Sequence, residues 1–306
     1  MKLQILACLF TATIAAATQA AQIQKVEFTS DGQKIIGQLY LPDNYKAGRK
    51  IPGVVVTGAW MTVKEQMPTN YAETLAKKGY AAMTFDFRGW GESKEGKLTQ
   101  FMESPTEKTK DIIAAANYMS TRPEISSVNG LGICASSGYM AKAAVDTPAI
   151  KSIALVAPWL HDNQIVEQVY GGKEGVQKLI EAAKNPVVVT AASTTDKSAI
   201  MFNIPYYTET KRGMIPAWDN KFNTGSWTGW LTFDAIAIAK DLKKPTLIVH
   251  SDAAAIPQGA KAFYKELPGK KNQVWLDKVS QFDFYDQPKN VSRAVTAAAK
   301  HFKAVK

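Results

Sequence analysis

A regular alternation of apolar runs and helix-like segments between residues 51 and 157 constrains the fold of this chain more than any other feature. The run at 51–57 contains three consecutive valines, which is typical of a strand buried on both faces. The pattern predicts further strands at 80–87, 129–133 and 150–157, and helices at 67–78, 106–120 and 137–145. Such alternation predicts an α/β fold with a mostly parallel central sheet and helices on both faces.

The remaining sequence extends this core at both ends. Predicted strands at 22–30 and 34–41 flank Asp31-Gly32, a residue pair that favours a β-hairpin. The alternation stops over about 158–241, a stretch rich in tryptophan and tyrosine, and this length is too great for a plain connection between two strands. We therefore predict an inserted cap there. The alternation resumes with predicted elements at 245–250, 258–267, 273–276 and 291–305.

The N-terminus has the features of a secretory signal peptide. Met1-Lys2 is positively charged, residues 3–17 are apolar, and small residues at 17–20 provide a cleavage site after Ala20. The apolar stretch is too short for a membrane span, and no stop-transfer segment follows it. We expect residues 1–20 to be removed and residues 21–306 to form one periplasmic or secreted domain that does not insert stably into the membrane.

Charge and composition narrow the possible partners. The formal net charge is +10, but the lysines are scattered, whereas a nucleic-acid-binding protein clusters its basic residues. No phosphate-binding loop, dinucleotide fingerprint or set of metal ligands at suitable spacing is present. We expect no cofactor, no metal and no nucleic-acid partner.

Cys134 occupies the most informative position in the sequence. Of the two cysteines, Cys8 lies in the predicted signal peptide, so the mature chain has a single thiol. Cys134 lies between a predicted strand and a predicted helix, with Gly132 two residues before it and Ser136 two residues after it. Small residues at these positions permit the sharp turn of a nucleophile elbow. A register shifted by two residues places Ser136 at the tip, between Cys134 and Gly138.

The other parts of such a site are expected where neighbouring strands end. An oxyanion hole takes one N–H from the residue after the nucleophile, here Ala135, and one from the loop after the strand at 51–57. The second donor is then Trp60 or Met61. The loop after the strand at 245–250 normally carries the acid, and Asp252 is its available carboxylate.

Several segments resemble the α/β-hydrolase superfamily, in particular its dienelactone-hydrolase-like branch with a cysteine elbow. Residues 85–93 look like the aromatic-Asp-x-Arg-Gly-x-Gly-x-Ser turn that follows the fourth strand of the superfamily. Residues 63–66, 132–135 and 138–139 resemble a bacterial set within that branch. The resemblance covers essentially the whole mature chain in order, and it implies the α/β-hydrolase fold and chemistry on ester bonds.

The same resemblance raises a question about the catalytic base. In that branch the loop after the last strand reads roughly Asn-His-x-Asp-x-Tyr-Asp, and aligning it on Asp283 and Tyr285 puts Gln281 at the histidine position. In the loop after the strand at 245–250, Asp252 lies slightly early, and Ala254 can occupy the usual acid position instead. His161 follows the strand at 150–157 and either substitutes as the base or has a structural role at the root of the cap.

Two further histidines are expected to be structural. His250 ends a predicted strand, and His301 lies in the terminal helix, where we expect it at the surface.

The chemistry of the thiol leaves three hypotheses open. A free thiol has a pKa of about 8.5, and a helix N-terminus lowers it. Some thiolate is therefore present at neutral pH, so Cys134 can attack an acyl group without a histidine. Gln281 can orient a water molecule but cannot take its proton, so deacylation is slow unless His161 or another base acts. The chain is then an ester or thioester hydrolase for small, partly apolar acyl substrates, a weakened member that binds a ligand, or an acyltransferase. The aromatic cap favours an apolar or ring-bearing ligand.

Overall fold

The computed structural model describes residues 22–94 and 100–305. The predicted signal peptide lies outside these residues. Within them, the chain forms twelve strands and ten α-helices. The strands are β1 (Gln22–Ser30), β2 (Gln33–Leu41), β3 (Ile51–Thr57), β4 (Ala81–Phe85), β5 (Ile125–Ile133), β6 (Ile150–Val156), β7 (Val188–Thr190), β8 (Ala192–Ser193), β9 (Met201–Phe202), β10 (Lys221–Asn223), β11 (Thr246–His250) and β12 (Lys271–Trp275).

Eight of these strands form one central sheet in the order β1-β2-β4-β3-β5-β6-β11-β12. The first three strands in this order pair antiparallel, and all later pairs are parallel. The hairpin between β1 and β2 turns at Asp31 and Gly32, whose φ angles are 49° and 78°. Two successive positive φ angles match the right-handed twist of the flanking strands. The predicted, mostly parallel sheet is confirmed.

The helices are α1 (Met67–Ala76), α2 (Pro105–Thr121), α3 (Ser136–Asp146), α4 (Asn163–Val169), α5 (Gly172–Ala182), α6 (Pro205–Thr208), α7 (Ser226–Leu231), α8 (Pro257–Glu266), α9 (Asp283–Asp286) and α10 (Pro288–Lys303). One layer contains α1 packed against α9 and α10, and another contains α2 packed against α3. Val54, Val55 and Val56 in β3 are all fully buried. Because successive side chains of a strand point to opposite faces, both faces of the sheet are covered.

The insertion between β6 and β11 contains four short strands, α4 to α7 and a 3₁₀ helix at Ala237–Asp241. It spans slightly more of the chain than the predicted 158–241. Helix α5 has no buried residue, and Gly171 before it and Gly172 at its first position both have positive φ. No helix in the described part of the chain is long and apolar enough to cross a membrane.

The register of the sheet brings the carboxyl ends of four central strands to one edge. Thr57 at the end of β3 pairs with Gly132 in β5, and Val156 at the end of β6 pairs with Ile133 in β5 and with Val249 in β11. The loops after these strands therefore leave the sheet side by side. This is the edge at which open α/β sheets bind ligands.

Candidate active site

Cys134 lies at a strained turn between β5 and α3. Its φ angle is 57°, in the left-handed region that non-glycine residues rarely adopt. A Cβ atom on Gly132 would lie 2.8 Å from the carbonyl oxygen of Ser136 and 2.9 Å from the Cα of Ser137, so only glycine fits there. The turn therefore depends on the small residue two positions before the cysteine.

The alternative in which Ser136 forms the tip does not match this geometry. The Ser136 hydroxyl donates to the carbonyl of Ile133 over 3.1 Å, and the N–H of Ile133 lies 3.2 Å from the same oxygen. Ser136 is fully buried within the turn. Cys134, in contrast, lines a cavity.

The cavity beside Cys134 has a volume of about 570 Å³, and none of the described residues that line it is charged. Most of its aromatic lining residues are buried, and its aliphatic lining residues are more exposed. The lining residues are Trp60, Cys134, Ala135, Trp159, Val169, Tyr170, Leu179, Ile200, Met201, Ile204, Tyr207, Trp227, Trp230, Ala255, Gln281, Phe282 and Tyr285. Because most of these belong to the insertion or to loops at the sheet edge, the insertion covers the site. The cavity suits an uncharged, largely apolar ligand.

Burial raises the pKa of the Cys134 thiol above its ordinary value. The Tyr285 hydroxyl, the N–H groups of Ala135 and Trp60, and the Gln281 side chain each lower the pKa of the thiol, but together they do not outweigh burial. The sequence led us to expect a lowered pKa at the start of a helix. That expectation is wrong because the cap removes the sulfur from water.

The two predicted oxyanion-hole donors both face the sulfur. The N–H groups of Trp60 and Ala135 each contribute a hydrogen bond that favours the thiolate. Met61, the alternative to Trp60, donates its N–H to Glu103 Oε2 over 2.9 Å and is therefore already bonded. An oxygen that develops negative charge next to the sulfur can accept from Trp60 and Ala135.

Gln281 lies beside Cys134, and its amide group is fully bonded. Its Nε2 donates to the carbonyl of Ala157 over 2.9 Å and to the Tyr285 hydroxyl over 3.1 Å. Its Oε1 accepts from the N–H of Ala255 over 3.1 Å. These bonds fix the orientation of the side chain, which has no basic atom to take a proton.

Asp252 does not reach the cavity. Its side chain is 65% exposed and forms a salt bridge of 2.6 Å with Lys261 on the outer surface of the molecule. Ser251 directs this turn, since its hydroxyl accepts from the N–H groups of Ala253 and Val279 over 3.1 and 3.2 Å. At the cavity side of the same loop stands Ala255 instead of a carboxylate.

His161 is buried, and both of its ring nitrogens are bonded. Trp159 Nε1 donates to Nδ1 over 3.0 Å, which leaves Nε2 to donate to the carbonyl of Trp230 over 3.1 Å. Burial lowers the pKa of this imidazole, so it is neutral. His161 connects the root of the insertion to α7, the structural one of its two predicted roles, and lies outside the set of residues that line the cavity.

The other two histidines are also buried. His250 packs edge to face against Trp275, with ring centroids 5.2 Å apart. His301 was expected at the surface, but it lies 3.3 Å from the carbonyl oxygen of Pro245 and is 5% exposed. The expectation is wrong because α10 turns this position towards β11.

Tyr285 accepts a hydrogen bond from Gln281 and lowers the pKa of the Cys134 thiol, although it is not among the predicted site residues. It lies four residues after Gln281, and Asp283–Asp286 forms a short helix. Gln281 precedes this helix, so the short separation of the two residues within one loop, rather than a shared helix face, is the signal that would have identified Tyr285.

The segments that carried the family resemblance hold the loop of Trp60 in place. The Lys64 amine forms salt bridges of 2.6 Å with Glu65, 2.7 Å with Asp86 and 2.8 Å with Glu92. Among the described residues, these three carboxylates are the group spaced closely enough to share a metal ion. The amine of Lys64 already supplies the positive charge at their centre.

Comparison with known proteins gives one family match. The family model described as "Serine aminopeptidase, S33", a hydrolase family, matches residues 61–279. Among curated proteins, the chain is 27% identical to the uncharacterized protein YcjY of Escherichia coli, over 91% of this chain and 97% of that protein. It is also 23% identical to the thiohydrolase aneE of Aspergillus aculeatus, over 83% of this chain and 84% of that protein.

Solved structures show the same fold. The crystal structure of the hypothetical protein PA2218 from Pseudomonas aeruginosa has a TM-score of 0.81, with 22% identity and full coverage of both chains. A dienelactone hydrolase from Anabaena variabilis has a TM-score of 0.58, with 12% identity over 94% of this chain and 99% of that chain. The predicted α/β-hydrolase fold is confirmed.

Proposed function

The chain belongs to the hydrolase family whose model matches residues 61–279, within the α/β-hydrolase superfamily, and on that premise we propose that it is an acyl hydrolase with Cys134 as its nucleophile. One observation carries the proposal. The Cys134 sulfur lies at the tip of a strained elbow, faces the N–H groups of Trp60 and Ala135, and lines an uncharged cavity. A nucleophile and two oxyanion donors are the elements that acyl transfer requires.

The first half of the reaction follows from this geometry. The Cys134 thiolate attacks the carbonyl carbon of the substrate, a C–S bond forms, and the carbonyl oxygen takes the displaced electron pair. This oxygen accepts hydrogen bonds from Trp60 and Ala135. The intermediate then collapses, the bond to the alcohol or thiol breaks, and the leaving group departs with the electron pair and takes a proton from water. An acyl thioester on Cys134 remains.

Release of the acyl group is the slow half. Water must lose a proton as it attacks the thioester, and such a step normally uses a general base. Gln281 has no basic atom, the His161 nitrogens are bonded elsewhere, and Asp252 is paired with Lys261 at the surface. We therefore expect the acyl-enzyme to persist.

The lack of a basic atom at Gln281 also favours a second candidate function, acyl transfer to a thiol. A thiolate that attacks the Cys134 thioester has no proton to lose, so it needs no base, and Cys134 leaves as the thiolate. Water lacks this advantage, because it must lose a proton as it attacks.

The cavity indicates the substrate class. Charged acyl groups would lose their hydration without gaining a partner, because the described lining residues carry no charge. The buried aromatic residues of the lining accommodate a ring or a branched chain next to the sulfur. Similarity to a protein named thiohydrolase supports thioesters as well as oxygen esters among the substrates.

Intact-mass measurement of the purified protein after exposure to a short aryl ester tests the proposal. We expect a mass increase equal to one acyl group, absent from Cys134→Ala, with release of one equivalent of phenol before slow turnover. Addition of a small thiol shortens the lifetime of the adduct if transfer is the preferred exit. A series of neutral acyl groups that leaves the mass unchanged would contradict the nucleophile assignment.

We further propose export of the mature chain. The mass of the protein recovered from cells tests it, since cleavage after Ala20 removes the first 20 residues. Recovery with the N-terminal segment still attached would contradict export through this signal.

A further inference from the structure

Glu103 is a fully buried carboxylate near the loop that carries Trp60. Its polar contacts are to that loop and to residues of α2, α3 and α7. Its Oε2 accepts from the N–H of Met61 over 2.9 Å and from the Lys108 amine over 2.8 Å. Its Oε1 accepts from the Tyr139 hydroxyl over 2.9 Å. Its own N–H donates to the Ser226 hydroxyl over 2.8 Å.

These contacts join the two segments that supply the oxyanion donors. Met61 directly follows Trp60, and Tyr139 lies in α3, whose preceding residue is Ala135. Met61 has a φ angle of 61°, so its peptide group is held in an uncommon orientation. The bond to Glu103 stabilises this strained backbone and fixes the peptide plane between Trp60 and Met61. That plane adjoins the one that carries the Trp60 N–H.

Lys108 balances the charge of Glu103. Its amine is buried, lies 4.6 Å from the ring centre of Phe87 and 5.1 Å from that of Trp90, and pairs with the carboxylate. A buried ion pair costs desolvation energy, and apolar residues of the same size often replace one without loss of stability. The fold alone therefore does not require a carboxylate at this position.

We propose that Glu103 is a positioning residue that holds the Trp60 and Ala135 N–H groups at the spacing required for one oxyanion. The inference rests on the proposed acyl chemistry at Cys134. The inference assigns this role to the hydrogen bonds of residue 103 and not to its charge. A glutamine keeps an acceptor for the Met61 N–H and can donate to the Tyr139 oxygen, so it should preserve the arrangement.

Two reactions of the same sulfur provide the test. Acylation by a p-nitrophenyl ester passes through an oxyanion, whereas alkylation by iodoacetamide does not. We expect Glu103→Met to lower the ratio of the acylation rate to the alkylation rate by about 10²-fold, the usual effect of one lost oxyanion donor. Glu103→Gln should keep the ratio within a few-fold of the parent protein.

The double variant Glu103→Met with Lys108→Met covers the case in which the single variant does not fold, because it leaves no unpaired buried charge. The same fall in the ratio is expected. An unchanged ratio in the folded double variant, or an equal fall in Glu103→Gln, would overturn the role of Glu103 and leave the proposed function intact. A parent protein that is alkylated but never acylated would overturn both.

Discussion

The backbone N–H of Ala255 donates a hydrogen bond of 3.1 Å to the side-chain oxygen of Gln281. In a catalytic triad the corresponding bond has the opposite polarity, because the carboxylate accepts a hydrogen bond from the histidine N–H. Here a donor occupies the place of the acid and an acceptor the place of the base. The side chain at 281 and the backbone at 255 are therefore matched to each other, whereas a histidine at 281 would meet no acid at 255.

Gln281→His tests this relationship. An imidazole at position 281 would meet a backbone donor at Ala255 and no carboxylate, so it would be poorly oriented and would not be stabilised as a cation. We expect the lifetime of the acyl-enzyme, followed by intact mass, to shorten by much less than the roughly 10²- to 10⁴-fold that a positioned general base gives.

Gln281→Leu is the matched control, since it removes the amide without adding a base. Its acyl-enzyme should last as long as that of the parent protein. Acceleration of deacylation by Gln281→His into the range of a working base would show that the missing carboxylate is unimportant.

Cys134→Ser separates this site from that of a serine hydrolase. A serine hydroxyl is a nucleophile only when a base takes its proton, whereas a thiol supplies some thiolate unaided. We expect Cys134→Ser to form no more acyl adduct than Cys134→Ala under the same ester. Quenching of the cavity tryptophans by an apolar ligand should remain in both variants, which confirms that the cavity is intact. Acylation of the serine variant at a rate near that of the parent would reveal an unrecognised base.

The pH dependence of acylation should follow the thiol alone. Because burial raises the pKa of Cys134, the thiolate fraction at neutral pH is small, and below the pKa it grows tenfold with each pH unit. The acylation rate should therefore rise continuously towards alkaline pH, without a step near the ordinary histidine pKa of about 6.5. Release of p-nitrophenol in the first turnover, measured across this range, gives the profile.

Tyr285→Phe provides the comparison for this profile. Its hydroxyl donates to the sulfur and lowers the thiol pKa, so its removal should shift the curve to higher pH and slow iodoacetamide alkylation at neutral pH. A bell-shaped profile, or a shift in the acid direction, would contradict this account.

The stability of the fold should fall in mild acid because of His250. Burial lowers the pKa of this fully buried imidazole from 6.5 to about 4. Between these values the unfolded chain binds a proton that the folded chain does not, so the free energy of unfolding decreases as the pH falls. The difference corresponds to about 3 kcal/mol when the interval has been crossed.

His250→Asn isolates this contribution, because the other titrating groups are common to both proteins. Urea unfolding of both, at neutral pH and near pH 4, should show the parent losing more stability than the variant. Equal losses would mean that His250 keeps an ordinary pKa in the fold.

The sequence was sufficient to predict the parts of the site that depend on local geometry. Gly132 and Cys134 identify the elbow because only small residues permit the turn, and the runs of buried valine and isoleucine fix the sheet around it. Trp60 and Ala135 follow from their positions after two of those strands. In each case the determining contacts are close in sequence or lie on neighbouring strands.

The remaining residues depend on contacts that are distant in sequence. His161 is held by the carbonyl of Trp230, 69 residues away, and no local pattern indicates that bond. Asp252 points outward because the Ser251 hydroxyl bonds Val279, 28 residues away. The thiol pKa was predicted in the wrong direction because the helix N-terminus is visible in the sequence, whereas the desolvation by the insertion is not.

Helix α5, which contributes Leu179 to the cavity and has no buried residue of its own, has a kinetic consequence. Val176, Leu179 and Ile180 are only partly buried against the core, so this helix should open at a smaller cost in free energy than the sheet, and its amides should exchange with solvent before those of β5. The glycine pair Gly171-Gly172 at the start of the helix permits this opening without disturbing the sheet. If the proposed acyl chemistry holds, we expect fluctuations of this one surface helix to set the rates of acyl-donor entry and product departure, while the elbow that carries Cys134 stays in place.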